Sequence, residues 1–308
     1  MQRPYTLEKE TDMSNTKNLF RPSEYFKPTS VAEAVKLLDE YGEKCQLIAG
    51  GTDLLTEKDP QVEVLIDITS LGLDYIRSDS QGVRIGATTT FARIEVSPVL
   101  CESSYNVLAQ AAHEMGTPQI RNMATIGGNI CSALPSADSA PALLVLAATL
   151  DIAGPNGERS MDIADFFRGV RKNALDRGEL LTKIQLPVHP ARTGTAFVKR
   201  GRVATADLAI VNVAVRLTLA ADNTCQDVRI ALGAVAPTPL RAKEAEVMLR
   251  GEELQDELLR KVAAHAAKET KPINDVRSSA EYRRTLSCVL VERALKEATA
   301  GLFVGSLD

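Results

Sequence analysis

Apolar positions along the chain change period several times, and each change predicts an element. Val31, Ala34, Val35, Leu38 and Tyr41 recur at helical spacing. Ser30 and Glu33 stand at capping-box spacing and Gly42 closes the run, so a helix is predicted over 30–42. Gln46 to Ala49 reads as a short buried strand, broken at once by Gly50-Gly51. Val62 to Ile68 and Val83 to Ala87 are strand-like, and Val107 to Met115 is helical. Leu150–Ala153 and Glu158–Met161 flank Pro155-Asn156-Gly157, a hairpin signal. The stretch from Leu186 to Gly194 holds Pro187 and Pro190 and marks a domain junction. Beyond it, Ala209–Leu219 and Val228–Ala234 alternate and are rich in β-branched residues, joined by a turn at Asp222-Asn223. Helical segments follow near 242–250, 253–268 and 280–299, the last with Ser278 and Glu281 at capping-box spacing. Strands followed by helices, without strict alternation, predict α+β architecture in both halves.

Length and composition refine this. A chain of 308 residues suggests two domains at roughly 150 residues each. The expected division is an N-terminal extension over 1–17, a first domain over 18–190 and a second over 194–308. Residues 1–12 do not resemble the start of a domain and are set aside. A hydrophobic fraction of 44% with 25% charged residues excludes a disordered or fibrous chain. The formal net charge of −4 argues against a nucleic-acid-binding surface spread over the molecule. The longest apolar run, Ala140 to Leu150, contains Pro141 and Thr149 and is far shorter than the roughly 20 residues of a membrane span. With no apolar core near the N-terminus, a cytoplasmic location is expected. Cys45, Cys101, Cys131, Cys225 and Cys288 form no closely spaced pair, and His113, His189 and His265 stand apart, so no metal site is predicted.

The candidate chemistry lies in two glycine turns. The first is Leu47-Ile48-Ala49-Gly50-Gly51-Thr52-Asp53. The second is Ala124-Thr125-Ile126-Gly127-Gly128-Asn129, continued by Pro135 and Asp138. Glycine pairs let the backbone approach a ligand and aim successive N–H groups at it. Thr52, Thr125 and Asn129 add hydrogen bonds without charge. Neither turn is a Walker loop or a GxGxxG fingerprint, and either alone serves equally as a tight strand exit. Facing each other, they would cradle a diphosphate.

The stretches LIAGGTDLL, QIRNMATIGGNICSALPSADSAPALLVL and AFVKRGRVATADLAIVNVAV resemble, in this order, the FAD-binding medium subunit of the molybdenum hydroxylases, the xanthine dehydrogenase and carbon monoxide dehydrogenase family. The resemblance runs from about Phe20 to Ala300. It implies a PCMH-like FAD-binding domain of two subdomains with FAD between them, then a smaller α+β domain with helices packed on a sheet. It further implies a large molybdopterin-binding partner, a small partner with 2Fe–2S clusters, and a FAD that passes their electrons to an acceptor such as NAD. A dimer of heterotrimers is the assembly it suggests.

Residue by residue, the resemblance makes Leu47, Ile48, Ala49, Gly50, Gly51, Thr52 and Asp53 the first pyrophosphate loop, and Thr125, Gly127, Gly128 and Asn129 the second. Asp138 falls where the family has an acidic residue suited to a cofactor hydroxyl, although an Asp there could equally cap the following helix. Leu181 matches an apolar contact, and Lys199 a lysine able to offset phosphate or flavin charge. Met115 replaces the aromatic ring of the animal members. Cys131 is followed directly by SALPSAD, without the cluster-bearing insertion of the aromatic-CoA reductases. Arg121 reads as structural or as a subunit contact. No general acid, base or nucleophile is nominated, because the cofactor carries the chemistry. The alternatives are a stand-alone flavin oxidoreductase on the same fold and a scaffold that has lost its flavin.

Overall fold

A computed structural model describes residues 20–203 and 207–304. The expected N-terminal extension over 1–17 lies outside the described residues. The described residues build three larger sheets, each packed on a hydrophobic core, and one two-stranded ribbon.

The first sheet holds β1 (Glu24–Phe26), β2 (Cys45–Ile48) and β3 (Val64–Asp67), all parallel with β3 in the centre. Helix α1 (Val31–Tyr41) buries Ala34, Val35 and Leu38 in the same core as Val64 and Ile66. Its N-terminus is formed as the sequence predicts, Ser30 Oγ accepting from Glu33 N at 3.2 Å. The Glu33 carboxylate reaches back one residue further than the box requires, to Thr29 N at 2.9 Å. The short α2 (Leu54–Glu57) follows the first glycine turn.

The second sheet is antiparallel. It begins with β4 (Ile76–Asp79) and β5 (Gly82–Gly86). Six short helices come next: α3 (Phe91–Glu95), α4 (Pro98–Cys101), α5 (Asn106–His113), α6 (Pro118–Met123), α7 (Ile126–Cys131) and α8 (Ser139–Val145). The hairpin β6 (Thr149–Gly154) and β7 (Gly157–Asp162) is registered Gly154 to Gly157 around the expected turn. A small ribbon, β8 (Phe167–Gly169) and β9 (Lys172–Asn173), precedes β10 (Leu180–Pro187), which lies between β5 and β6. Phe91, Ile94, Leu108, Ile126, Leu143 and Ile184 fill the core beneath the helices. Of these the sequence predicts the helix around 107–115, which stops at His113, and the helix that follows Asp138, which runs only to Val145. Helices α6 and α7 are six residues each, too short to display a period, and are started by caps. Thr117 accepts from Ile120 N, and Thr125 accepts from Gly128 N. The second glycine pair therefore sits inside a helical turn rather than in an open loop.

The third sheet is antiparallel in the order β11 (Thr193–Arg200), β12 (Val211–Leu219), β13 (Cys225–Gly233) and β14 (Leu240–Arg241). Helices α9 (Lys243–Val247), α10 (Asp256–Glu269) and α11 (Ala280–Val304) cover one face, where Val211, Val213, Val215 and Leu217 meet Val262 and Leu295. The opposite face turns Ala214 into the second sheet's core. Every residue of β12 is consequently buried, including Asn212, Arg216 and Thr218.

The junction between β10 and β11 carries a titratable lock. His189 Nδ1 lies 2.7 Å from an Arg216 nitrogen, and the Tyr105 ring packs on the imidazole at 5.2 Å. Burial, then the positive charges of Arg216 and Arg229, push His189 down from 6.5 to about 4. An arginine can only donate, so Nδ1 must be the unprotonated acceptor. Between these pH values the unfolded chain binds a proton that the folded chain refuses, and stability falls as the pH drops. Urea titrations at pH 7.5 and pH 4.5 are expected to differ by about 1–2 kcal/mol on this account, since solvent still reaches part of the ring. His189→Gln should reduce that difference, and an unchanged pH dependence in the variant would refute the assignment.

Candidate functional site

The two glycine turns meet. As the chain leaves β2 it bends at Gly51, whose φ of +68° suits glycine. A Cβ on Gly50 would lie 1.8 Å from the carbonyl oxygen of Met123, so the first turn is pressed against the peptide linking α6 to α7. Ser132 Oγ donates to Asp53 Oδ2 at 2.6 Å and ties the two turns together from the other side. The second turn is pinned to the exit of β5, with Gly127 N donating to Ala87 O at 2.9 Å. A Cβ on Gly127 would stand 2.6 Å from that same oxygen.

Between them runs a groove of about 680 Å³. Of the sequence-predicted residues, Leu47, Ile48, Ala49, Gly50, Gly51, Thr52, Asp53, Met115, Thr125, Gly127, Gly128, Asn129, Asp138 and Leu181 line it. Lys199 does not; it stands behind the wall. Ser132, Glu57, Arg171 and Leu208 also line the groove. No local signal marks these four; Ser132 is held by Asp53, and Arg171 and Glu57 by each other, over long sequence separations.

The turns divide the work unequally. The amides of Gly50, Gly51, Thr52 and Asp53 donate to no acceptor among the described residues. Those of Ile126, Gly127, Gly128 and Asn129 are all occupied, by Thr89 O, Ala87 O, Thr125 Oγ1 and Thr125 O. Only the first turn keeps successive N–H groups without an acceptor, because docking on the chain after β5 and closing the α7 turn together consume the donors of the second. What the second turn supplies is room: a Cβ on Gly128 would meet only Thr125 Oγ1, at 3.0 Å. Asn129 accepts from Ser139 Oγ at 2.6 Å, leaving its amide nitrogen to donate. Four unpaired donors opposite a bare glycine surface fit a diphosphate, which brings acceptors and needs close approach.

The far wall is an ion pair between domains. Lys199 Nζ on β11 lies 2.6 Å from Asp138 Oδ2 and 2.8 Å from Glu114 O, while Asn212 Nδ2 on β12 donates to Asp138 Oδ1 at 2.7 Å. Both side chains of the pair are 6% exposed. Burial pushes the Asp138 carboxyl above its usual range, and Lys199 and Asn212 pull it back. Asp138 stands at the N-cap of α8 but makes no capping bond, so the capping alternative is not realised. With its charge committed to Asp138, Lys199 acts on the groove through that carboxylate. Leu181 and Ala87 supply apolar surface, and Met115, at 9% exposure, forms the corner near Gly116. Arg171 pairs with Glu57 across the groove. No group of metal-ligating side chains occurs among the described residues. No described helix is long and apolar enough to cross a membrane.

Comparison with known proteins agrees with this geometry. Residues 19–189 match the FAD binding domain in molybdopterin dehydrogenase, and residues 196–298 match the CO dehydrogenase flavoprotein C-terminal domain. The carbon monoxide dehydrogenase medium chain of Afipia carboxidovorans is 36% identical over 90% of this chain and 96% of its own length. A xanthine dehydrogenase FAD-binding subunit of Escherichia coli is 30% identical over 92% of this chain and 98% of its own. The solved structure of carbon monoxide dehydrogenase from Hydrogenophaga pseudoflava superposes with a TM-score of 0.85 at 36% identity, over 90% of this chain and 96% of that one. The chain is therefore a FAD-dependent oxidoreductase subunit, and belongs to the family of FAD-binding medium subunits of the molybdenum hydroxylases.

Proposed function

We propose that this subunit accepts electrons from 2Fe–2S clusters on a small partner, themselves supplied by a molybdopterin cofactor on a large one, and delivers them to a soluble acceptor such as NAD. The assembly is a heterotrimer, paired into a dimer of heterotrimers, in the cytoplasm, where the five free thiols suit a reducing compartment. One observation carries the reading: four successive amides with no acceptor among the described residues, and the second glycine pair, line one groove of about 680 Å³. When bound, FAD supplies the ability to take up electrons singly and release them as a pair.

The protein's residues bind and orient. Gly50, Gly51, Thr52 and Asp53 donate backbone hydrogen bonds to the diphosphate. Thr125, Gly127 and Gly128 let it lie close, and the Asn129 amide adds a neutral donor. Asp138, held by Lys199 and Asn212, accepts from a cofactor hydroxyl. Leu47, Ile48, Ala49, Leu181 and Met115 exclude water from the apolar parts of the cofactor.

The test uses the full chain. Incubated with FAD and desalted, it should retain about one equivalent with visible flavin absorption. Reduced chemically under anaerobic conditions, it should then reduce NAD, read as NADH absorbance. Retention of FAD without NADH formation would reassign the acceptor. Steady oxidation of an organic substrate by the chain alone would favour the stand-alone reading. Co-expression with candidate large and small subunits should yield a complex in which substrate bleaches the flavin.

A further inference from the structure

Met115 reaches the groove on a bend that is gripped by a side chain outside the groove. Helix α5 ends at His113, leaving the carbonyls of His113, Glu114 and Met115 without helical partners. Cations meet all three. Arg121 Nη1 donates to His113 O at 2.9 Å and to Met115 O at 3.3 Å, and Lys199 takes Glu114 O at 2.8 Å. Arg121 is itself fixed by Glu95, the last residue of α3. Its Nη2 donates to Oε1 at 3.3 Å, its Nε lies 2.7 Å from Oε2 as a charge contact without hydrogen-bond geometry, and its side chain is only 11% exposed. Glu95 Oε1 also meets His113 Nδ1 at 2.7 Å. Just past the clamp the chain turns at Gly116, φ +52°, with the Ile120 side chain 3.0 Å from where a Cβ would stand.

We infer that Arg121 is a positioning residue for the flavin groove: by clamping the His113 and Met115 carbonyls under the control of Glu95, it sets where the Met115 side chain stands. The inference rests on the reading that the groove holds FAD. A planar guanidinium suits the task, because one nitrogen spans two carbonyls while the other two meet a carboxylate. A lysine offers a single ammonium and cannot serve both groups in that geometry.

The test measures FAD dissociation constants and the shape of the flavin absorption band in the full chain, at a temperature where far-UV circular dichroism shows each variant folded. Arg121→Met should weaken FAD binding about tenfold and shift the band, with Arg121→Lys falling between it and the unmodified chain. Met115→Ala should weaken binding too. In the Met115→Ala background, Arg121→Met should add less than about threefold, because its effect runs through Met115. Unchanged affinity and band shape in Arg121→Met, or full additivity with Met115→Ala, overturns the inference. Should Arg121→Met not fold, Arg121→Lys decides, with an affinity and band equal to those of the unmodified chain counting against it. An unmodified chain that takes up no FAD overturns the groove reading instead, a result that no Arg121 variant can imitate.

Discussion

Replacing Gly128 by valine is expected to give a chain that folds normally and retains no FAD. The site separates these two outcomes as few positions do. A Cβ on Gly128 meets only the Thr125 hydroxyl, at 3.0 Å, which a few tenths of an ångström of movement relieves. The residue lies in the first turn of α7 without a left-handed backbone, and glycine is a poorer helix former than valine, so the substitution costs the fold nothing in helix propensity. Its two methyl groups, however, occupy the groove opposite the four free amides, where the diphosphate must lie. FAD affinity should fall at least about a hundredfold, since the phosphates lose both their approach and their donors. Equilibrium dialysis with FAD, alongside a thermal melt of the FAD-free chain, checks both halves. A variant with normal flavin content would place the diphosphate elsewhere. Gly50→Ala is the contrast: its Cβ collides with the Met123 carbonyl oxygen at 1.8 Å, and backbone cannot yield as a side chain does. Stability and FAD binding should there be lost together.

Lys199→Met should cost about 3–5 kcal/mol of stability at neutral pH, because it leaves the Asp138 carboxylate buried without its cation. The same substitution frees the Glu114 carbonyl, so the bend before Met115 loosens from the side that Arg121 does not hold. The deficit should depend on pH. Burial already pushes Asp138 upward, and removing Lys199 removes the main opposing influence. A carboxyl whose folded pKa is raised binds a proton more readily folded than unfolded, so the deficit shrinks as the pH falls. Asp138→Asn combined with Lys199→Met should recover part of the loss, since the amide needs no counter-charge. Urea denaturation of both variants and of the unmodified chain at pH 7.5 and pH 5 tests this. A pH-independent deficit, or a double variant weaker than the single, would show that the pair is not coupled as described.

Some of this site is readable along the chain. Helix α1 is legible because both its signals are local: a capping serine three residues before a glutamate, and a period of buried apolar residues. The hairpin at Pro155-Asn156-Gly157 is legible for the same reason. The glycine pairs announce close backbone approach, and their neighbours announce neutral hydrogen bonding. Helices α6 and α7 escape the reading because a six-residue helix spans under two turns and is specified by its caps, Thr117 and Thr125, rather than by a period. Strand β12 alternates in chemistry, V-N-V-A-V-R-L-T-L, yet is buried on both faces. Of its polar positions, Asn212 bonds Asp138 of the neighbouring domain and Arg216 meets His189 at the junction, while Thr218 pairs with Thr193 on β11, which a one-sided reading of alternation cannot reveal.

Residue order alone thus settles the chemistry offered to a ligand: glycines in pairs, neutral donors beside them, and one acidic residue downstream. Folding settles which of those groups remain free to be used. The donors of Gly50 to Asp53 stay open while those of Ile126 to Asn129 are spent, and no composition distinguishes the two sets. Asp53 and Ser132 are 79 positions apart, and Asp138 and Asn212 are 74 apart. A hydrogen bond reaches about 3 Å and saturates its donor, so whether a group is available depends on neighbours that only the packed chain brings within that distance.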